Sequence, residues 1–374
     1  MTTQPIPVVS GSAKQRNRGR KVAVIGAGSW GTTFAKVLCD AGCDVTVWAR
    51  RPEVAQEIQV AKRNTEYLPG INLPKQLKAT SDYSEALKGA RMVFLAVPSQ
   101  TLRQNLLDLE PYLDRRSVLI SLVKGVERST TMRMSEVITD VLDYPSERIG
   151  IVSGPNIALE IAKEQPTGAV ASCASLEVAQ EIAIACSAPY FRTYVNTDVI
   201  GTELGGVLKN LIALAIGIVD GVGYGENTKA AIITRGLAEM TEFAVARGAD
   251  PTTLAGLAGL GDLITTCQSP LSRNNTAGRL IGQGYTQEET REQMEQTAEG
   301  ITSVPPVLKI ARENNISMPI VEQVQMVLSG TMAPKDLGPH LATEDGVPQP
   351  ELSIGGVRPG LWKRLLDRMK GSQE

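Results

Sequence analysis

Histidine is almost absent from this chain of 374 residues, and that absence argues against several kinds of chemistry. The single histidine, His340, lies in a segment rich in proline and glycine. A Ser-His-Asp triad, a histidine-assisted hydroxy-acid dehydrogenase and a metal centre with several histidine ligands are therefore not expected. Any general acid or base should be a lysine, aspartate, glutamate, tyrosine or cysteine.

Cysteine is scarce, and its spacing follows no known framework. The five cysteines form an odd set with no Cys-x-x-Cys pair and no histidine nearby; they are Cys39, Cys43, Cys173, Cys186 and Cys267. Neither a disulfide scaffold nor a zinc site is indicated, so no metal is expected. This cysteine usage fits a reducing cytoplasm.

Long hydrophobic runs are also lacking. The longest candidate, "LIALAIGIV" at 211–219, is about half the roughly 18 apolar residues that a membrane span needs, so no transmembrane segment is expected. The formal net charge is −2, and the first twenty residues hold four basic side chains and no acid. The rest of the chain is thus mildly acidic, which argues against a nucleic-acid partner.

Alternating short Val/Ile-rich runs and helix-length stretches predict two domains. The runs are "KVAVIGAG" (21–28), "CDVTVWAR" (43–50), "RMVFLAV" (91–97), "SVLISLV" (117–123), "RIGIVSG" (148–154), "GAVASC" (168–173) and "YFRTYVN" (190–196). They predict an α/β Rossmann-type domain over residues 21–196 with a largely parallel sheet. Longer stretches rich in Ala, Leu and Glu predict an all-α domain over 197–332.

The two ends of the chain are predicted to be tails. Residues 1–20 lack the hydrophobic region of a secretory signal and are expected to be disordered, with an organelle transit peptide as the alternative. Residues 333–374 hold five prolines before "GLWKRLLDRMKG". Leu361, Leu365, Leu366 and Met369 have helical spacing there, which predicts a short amphipathic helix.

A glycine-rich turn follows the first predicted strand. "GAGSWG" places glycines at 26, 28 and 31, directly after a strand and at the start of a helix. In a dinucleotide-binding turn, Gly26 permits the tight bend, Gly28 lets a pyrophosphate approach the backbone, and Gly31 allows close helix packing. The alternative is an ordinary strand-to-helix turn with incidental glycines.

The second predicted strand ends in two arginines. An acidic residue at this point would bind the ribose 2′-hydroxyl of NAD, whereas arginine accommodates the 2′-phosphate of NADP. "WARR" at 48–51 has no acid between Val45 and Pro52, which predicts that NADPH is accepted and preferred, with NADH also usable. The alternative is that Arg50 and Arg51 are simply solvated.

A long apolar helix is predicted over Glu203 to Gly221. Its residues leave one narrow strip of small and polar side chains; these are Gly206, Lys209, Asn210, Ala213, Gly217 and Asp220. Such a strip lets a ligand or another backbone come close, and it presents one ammonium group from an apolar surface. Periodicity alone leaves open whether Lys209 does this or extends to solvent.

Two polar glycine loops follow that helix. "GLAGLGDLITTC" places Asp262 after three glycines, and "SPLSRNNTAG" places Ser272, Arg273 and Asn274 in a row. Hydroxyl, guanidinium and amide groups together bind phosphate oxygens. The alternatives are that Asp262 caps a helix and that Ser-Arg-Asn is a surface loop.

These segments together resemble the bacterial-type NAD(P)-dependent glycerol-3-phosphate dehydrogenases. The resemblance is carried in order by "GAGSWGT", "NTEYLPGINLP", "SLVKGVE", "GPNIALE", "LKNLIALAIGIVDGVGYGENTKAAIITRGLAEM", "GLAGLGDLITTCQSPLSRN" and "AEG", over about residues 21–332. It implies reversible reduction of dihydroxyacetone phosphate to sn-glycerol 3-phosphate, the entry step to glycerophospholipid synthesis. The same segments contain Gly154 and Asn156 of "GPN", where the family usually has a hydroxyl residue in place of Asn156.

The resemblance also implies residue roles. By its position in the "LKN" motif, Lys209 resembles the lysine that donates and accepts the proton in this family. Cofactor contacts are implied for Ser29, Trp30, Arg50, Arg51, Tyr67, Lys124, Ala158, Arg273, Thr297 and Glu299, beside Gly26, Gly28 and Gly31. Substrate contacts are implied for Lys124, Gly154, Asn156, Lys209, Asp262, Ser272, Arg273 and Asn274.

Two other interpretations compete with this one. A relative in the same broad group would act on a different phosphorylated or β-hydroxy acid substrate. A catalytically silent NADPH sensor or scaffold would bind the nucleotide without turning over a ketone. A homodimer is expected only because two-fold assemblies are common among soluble proteins.

Overall fold

The computed structural model describes residues 13–294 and 298–338, and its first half is built on one eight-stranded sheet. The strands are β1 (Lys21–Ile25), β2 (Asp44–Trp48), β3 (Lys78–Thr80), β4 (Met92–Leu95), β5 (Val118–Ser121), β6 (Ile149–Ser153), β7 (Thr167–Cys173) and β8 (Phe191–Asn196). Their spatial order is β3-β2-β1-β4-β5-β6-β7-β8, and every neighbouring pair is parallel except β6 and β7. The predicted Rossmann-type sheet is confirmed.

Helices cover both faces of the sheet. They are α1 (Ala13–Arg16), α2 (Ser29–Asp40), α3 (Pro52–Gln56), α4 (Tyr83–Leu87), α5 (Leu102–Leu109), α6 (Met134–Leu142), α7 (Ala158–Ala162) and α8 (Leu176–Cys186). Side chains alternate along β1, so Val22 and Val24 pack with α2 and α8 while Ala23 and Ile25 pack with α5 and α6. Two separate cores, one on each face, therefore hold the sheet between helical layers.

The second half is entirely helical in the part of the chain that the structure describes. Its helices are α9 (Val199–Val222), α10 (Glu226–Ala246), α11 (Pro251–Leu254), α12 (Asp262–Gln268), α13 (Arg273–Gly282), α14 (Gln287–Gln293), α15 (Glu299–Glu313) and α16 (Pro319–Leu328). One apolar core packs around α9, as the predicted all-α domain requires. By length and composition α9 is apolar enough to cross a bilayer, but 83% of its apolar window is buried inside the protein. It is the central helix of this core.

Helices α9 and α13 cross with their backbones in contact. A Cβ atom on Gly217 would lie 2.2 Å from the carbonyl oxygen of Asn275, and one on Gly278 would lie 2.2 Å from that of Leu214. Gly221 and Gly282 make the equivalent approach one turn further on. The strip of small residues predicted on α9 thus admits the backbone of a neighbouring helix.

Parts of both predicted tails are structured and contact the body of the protein. Residues 13–20 are ordered: Ala13–Arg16 is helical, and Asn17 is buried, donating hydrogen bonds from Nδ2 to the carbonyl oxygens of Ala41 (3.0 Å) and Ile184 (2.9 Å). Ala41 lies at the end of α2, where carbonyl groups lack helical partners, so this amide satisfies one of them. Leu337 is also buried in the helical core, so residues 333–338 pack against the body. The predicted helix at 361–369 lies outside the described residues.

Candidate active site

A cavity of about 1270 Å³ lies between the sheet and the helical half. It opens at the carboxyl ends of the parallel strands, where open α/β sheets bind ligands. Its lining includes the predicted residues Gly26, Gly28, Ser29, Trp30, Gly31, Arg50, Arg51, Tyr67, Lys124, Asn156, Ala158, Lys209, Asp262, Ser272, Arg273, Asn274 and Glu299. Gly154 is not part of the lining but contacts Lys124, which is, and Thr297 falls outside the described residues. The fold therefore gathers into one space residues that are widely separated in the sequence.

The glycine turn after β1 has the geometry of a phosphate-binding loop. Gly26 has φ of +114°, and a Cβ atom there would lie 2.6 Å from the carbonyl oxygen of Ala96. A Cβ on Gly31 would lie 2.0 Å from the carbonyl oxygen of Gly26. Both positions therefore need glycine for the fold itself.

Gly28 differs from the other two glycines. A Cβ atom there would meet nothing within 4 Å, because the position faces the cavity just before the N-terminus of α2. The protein's own packing therefore does not require glycine at this point. A bound anion would require it, because a side chain here would keep the anion from the backbone and the helix N-terminus. This open cradle fits the pyrophosphate of a dinucleotide.

Two lysines from different halves of the chain share one carboxylate. Lys209 on α9 donates from Nζ to Oδ1 of Asp262 at 2.8 Å, and Lys124, just after β5, donates to Oδ2 of Asp262 at 2.6 Å. Asp262 is 1% exposed and Lys209 7% exposed. The interpretation in which Lys209 extends to solvent is therefore wrong, and Asp262 does more than begin α12.

Each of the two lysines donates a further hydrogen bond to an oxygen atom other than those of Asp262. Lys209 also donates to Oγ1 of Thr266 at 2.6 Å, and Lys124 donates to the carbonyl oxygen of Gly154 at 3.0 Å. Burial lowers the pKa of Lys124 to about 8, an effect that the charge of Asp262 opposes and that of Lys209 reinforces. Sequence reasoning missed Thr266, although its position four residues after Asp262 places both on one face of α12.

The Ser-Arg-Asn run at the start of α13 divides its tasks. Ser272 caps the helix, accepting from the backbone N–H of Asn275 at 3.3 Å. Asn274 is tied internally: its Nδ2 donates to Oδ1 of Asn210 at 2.8 Å, and its Oδ1 accepts from the N–H of Gly300 at 2.8 Å. Arg273 lines the cavity and forms no ion pair with any described residue. The Arg273 guanidinium and the hydroxyl proton of Ser272, which only accepts in its cap, are thus free to hold an anion.

Asn156 brings an unsatisfied amide to the same cavity. Its Nδ2 and Oδ1 atoms are both buried and have no hydrogen-bond partner among the described residues. Buried polar groups are nearly always hydrogen-bonded, so an amide left without partners in a cavity wall points to a ligand. An amide offers that ligand both donors and an acceptor.

Glu299 links the two halves at the edge of the cavity. Its Oε2 accepts a hydrogen bond from Oγ of Ser99 at 2.8 Å, and Ser99 follows β4 in the sheet domain. Among the described residues, no group of three or more histidine, cysteine, aspartate or glutamate side chains is arranged to hold a metal ion.

Comparison with known proteins identifies the family. Residues 21–179 match the family model described as NAD-dependent glycerol-3-phosphate dehydrogenase N-terminus, and residues 198–338 match the corresponding C-terminus. The chain belongs to this family. The two matches together span both halves of the cavity.

Individual members of the family align over nearly their whole length. A glycerol-3-phosphate dehydrogenase (NAD(P)+) of Leifsonia xyli subsp. xyli is 64% identical over 332 residues, which is 89% of this chain and 90% of the relative. One from Streptomyces griseus is 55% identical over 314 residues, covering 84% of this chain and 94% of the relative. The crystal structure of the Coxiella burnetii glycerol-3-phosphate dehydrogenase is 33% identical with a TM-score of 0.82, covering 87% of this chain and 99% of that one.

Proposed function

We propose that this protein is an sn-glycerol-3-phosphate dehydrogenase. It would reduce dihydroxyacetone phosphate to sn-glycerol 3-phosphate reversibly with NADPH or NADH, supplying glycerophospholipid synthesis. The observation that carries the proposal is the Lys124–Asp262–Lys209 bridge, which lies in the same cavity as the Gly28 cradle. Membership of the family supports the choice of substrate.

The cofactor would be held along the carboxyl ends of β1, β2 and β5. The residues assigned to it are Gly26, Gly28, Ser29, Trp30, Gly31, Arg50, Arg51, Tyr67, Lys124, Ala158, Arg273, Thr297 and Glu299. When bound, the reduced nicotinamide supplies a hydride to the ketone carbon. The helix N-terminus at Ser29 and the arginines after β2 would hold its phosphates.

Lys209 would move the proton. Reduction of a ketone builds negative charge on the carbonyl oxygen, and an ammonium group beside that oxygen stabilises the charge and then donates its proton. Asp262 and Thr266 fix the direction of the Lys209 Nζ atom, since each is within 2.8 Å of it. In the oxidising direction the same amine would accept the proton from the hydroxyl group.

The substrate would be bound by groups from both halves. Arg273 and Ser272 would hold the phosphate, Lys124 would add positive charge, and the Asn156 amide would gain the partner that it lacks. Gly154 contributes indirectly, because its carbonyl oxygen positions Lys124. Asn274 would support the site by fixing α13 to α9 and α15.

The reaction is tested by following reduced nicotinamide spectrophotometrically with each cofactor and two ketones. We expect oxidation with dihydroxyacetone phosphate and little with dihydroxyacetone, which lacks the phosphate. Turnover of a different phosphorylated or β-hydroxy acid substrate alone would favour the related-enzyme interpretation. Nucleotide binding without oxidation by any of these compounds would favour the silent sensor.

Substrate binding should weaken as the pH rises through about 8, because the Lys124 ammonium loses its proton there. In the proposed complex the Lys124 ammonium lies near the substrate phosphate and attracts it. Because the pKa of Lys124 is low, this charge is lost at a pH well below the usual range for lysine. Between about pH 7 and about pH 9.5 we expect the Kd of glycerol 3-phosphate to rise about fivefold. In Lys124→Arg, whose guanidinium stays charged, the rise should be absent; equal rises in both proteins would contradict the role of Lys124.

Assembly and location complete the proposal. We propose a homodimer, because two-fold assemblies are the commonest form of soluble enzymes, and light scattering would measure its mass.

A cytoplasmic location is supported by the cysteines, all five of which are buried and unbridged.

A further inference from the structure

The two arginines after β2 differ in their surroundings. Arg51 forms an ion pair from Nη2 to a carboxylate oxygen of Glu66, and its Nε lies 3.7 Å from Oε1 of Glu53. Arg50 is exposed and forms no ion pair with any described residue. The charge of one arginine is therefore already balanced, while that of the other is open to a ligand.

Glu66 is held in place next to the glycine turn. Asn64 donates from Nδ2 to the carbonyl oxygen of Ala27 at 2.8 Å and to Oγ1 of Thr32 at 2.8 Å, which ties its segment to the turn and to α2. The Tyr67 ring lies under the Arg51 guanidinium at 5.6 Å, and its hydroxyl accepts from Nη2 at 3.4 Å. Arg51 is thus oriented by Glu66 on one side and Tyr67 on the other.

Arg51 and Tyr67 line the cavity, whereas Glu66 contacts Arg51 from outside the lining and is half exposed. The end of the second strand is where a Rossmann-type fold distinguishes the ribose 2′-hydroxyl from the 2′-phosphate. A carboxylate that neutralises an arginine at this point weakens the attraction for the 2′-phosphate of NADPH. It does not weaken the binding of NADH, whose 2′-hydroxyl is uncharged. The arrangement lowers the advantage that two free arginines would give to NADPH.

We infer that Glu66 sets the balance between NADPH and NADH by neutralising Arg51, so that Arg50 carries most of the discrimination. This inference rests on the proposed dinucleotide site. Glu66 acts through Arg51 and is a specificity-determining residue, not a catalytic one. The ion pair is consistent with a lowered pKa for the Glu66 carboxyl, which the Arg51 hydrogen bond causes.

Binding measurements on Glu66→Gln test the inference directly. We expect the Kd of NADPH, followed by nicotinamide fluorescence, to fall about fivefold, and that of NADH to change less than about twofold. The same contrast should appear by calorimetry between 2′-phospho-ADP-ribose and ADP-ribose, which bind without turnover. High salt should reduce the gain, since both charges are partly exposed.

Two control variants separate this inference from a general charge effect. Glu53→Gln removes a carboxylate at a longer distance from the same arginine and should change the Kd ratio of NADPH to NADH less than about twofold. In an Arg51→Gln background, Glu66→Gln should lose most of its effect. An unchanged ratio in Glu66→Gln, an equal change in Glu53→Gln, or an undiminished effect without Arg51 would each overturn the inference. Failure of the wild-type protein to bind either nucleotide would instead overturn the proposed function.

Discussion

Replacing Lys209 with alanine should lower turnover by at least about 10²-fold while nucleotide binding is retained. The Lys209 ammonium is the acid that α9 brings to the cavity, and Asp262 and Thr266 hold it there. Removing it leaves Asp262 paired with Lys124, so the buried carboxylate keeps a positively charged partner. The measurement is kcat with saturating dihydroxyacetone phosphate, together with the Kd of NADPH.

A lysine outside the cavity gives the matched control for this variant. Lys229 on α10 pairs with Asp220 at 3.0 Å and does not line the site. Lys229→Ala should therefore leave kcat within about twofold of the wild-type value. Unchanged turnover in Lys209→Ala would remove Lys209 from the mechanism.

Replacing Asp262 with asparagine should harm both stability and turnover. The change keeps the shape of the side chain but leaves the ammonium groups of Lys124 and Lys209 facing a neutral amide. Breaking a buried pair by removing one partner typically costs about 3 kcal/mol, so the free energy of unfolding should fall by about that amount in a urea titration. Turnover should fall at least about 10²-fold, because the Lys209 amine loses its charged partner and keeps only Thr266 to fix its direction.

An exposed pair of the same length isolates the effect of burial. Lys78 and Asp44 also lie 2.8 Å apart, but their side chains are 57% and 37% exposed. Asp44→Asn should therefore cost less than about 1 kcal/mol. If Asp44→Asn and Asp262→Asn destabilise the protein equally, the buried bridge has no special role.

The glycine turn of the proposed cofactor site was predictable from the sequence, because its requirements are local. The roles of Gly26 and Gly31 follow from covalent geometry within one turn, and the structure reproduces them as clashes that a Cβ atom would cause. The strand β3 was missed, because its three residues, Lys-Ala-Thr, carry no run of apolar side chains. This segment is a strand because it pairs with β2, not because its own residues are hydrophobic.

Contacts between distant residues were beyond the reach of periodicity. Lys209 and Asp262 are 53 positions apart, and Asn210 and Asn274 are 64 apart, so the sequence alone could not choose between a buried and an exposed Lys209. The balance of Arg51 by Glu66 was missed for the same reason. "WARR" shows the positive charges, but the opposing carboxylate belongs to a loop that only the fold brings alongside.

The glycine crossing of α9 and α13 also constrains how the protein can move. With backbone against backbone at Gly217 and Gly278, no intervening side chains can rearrange to let one helix slide along the other. Lys209 and Arg273 are therefore carried on a single rigid unit. A closing motion around a ligand would move the sheet domain relative to this unit and would leave the separation of Lys209 and Arg273 unchanged.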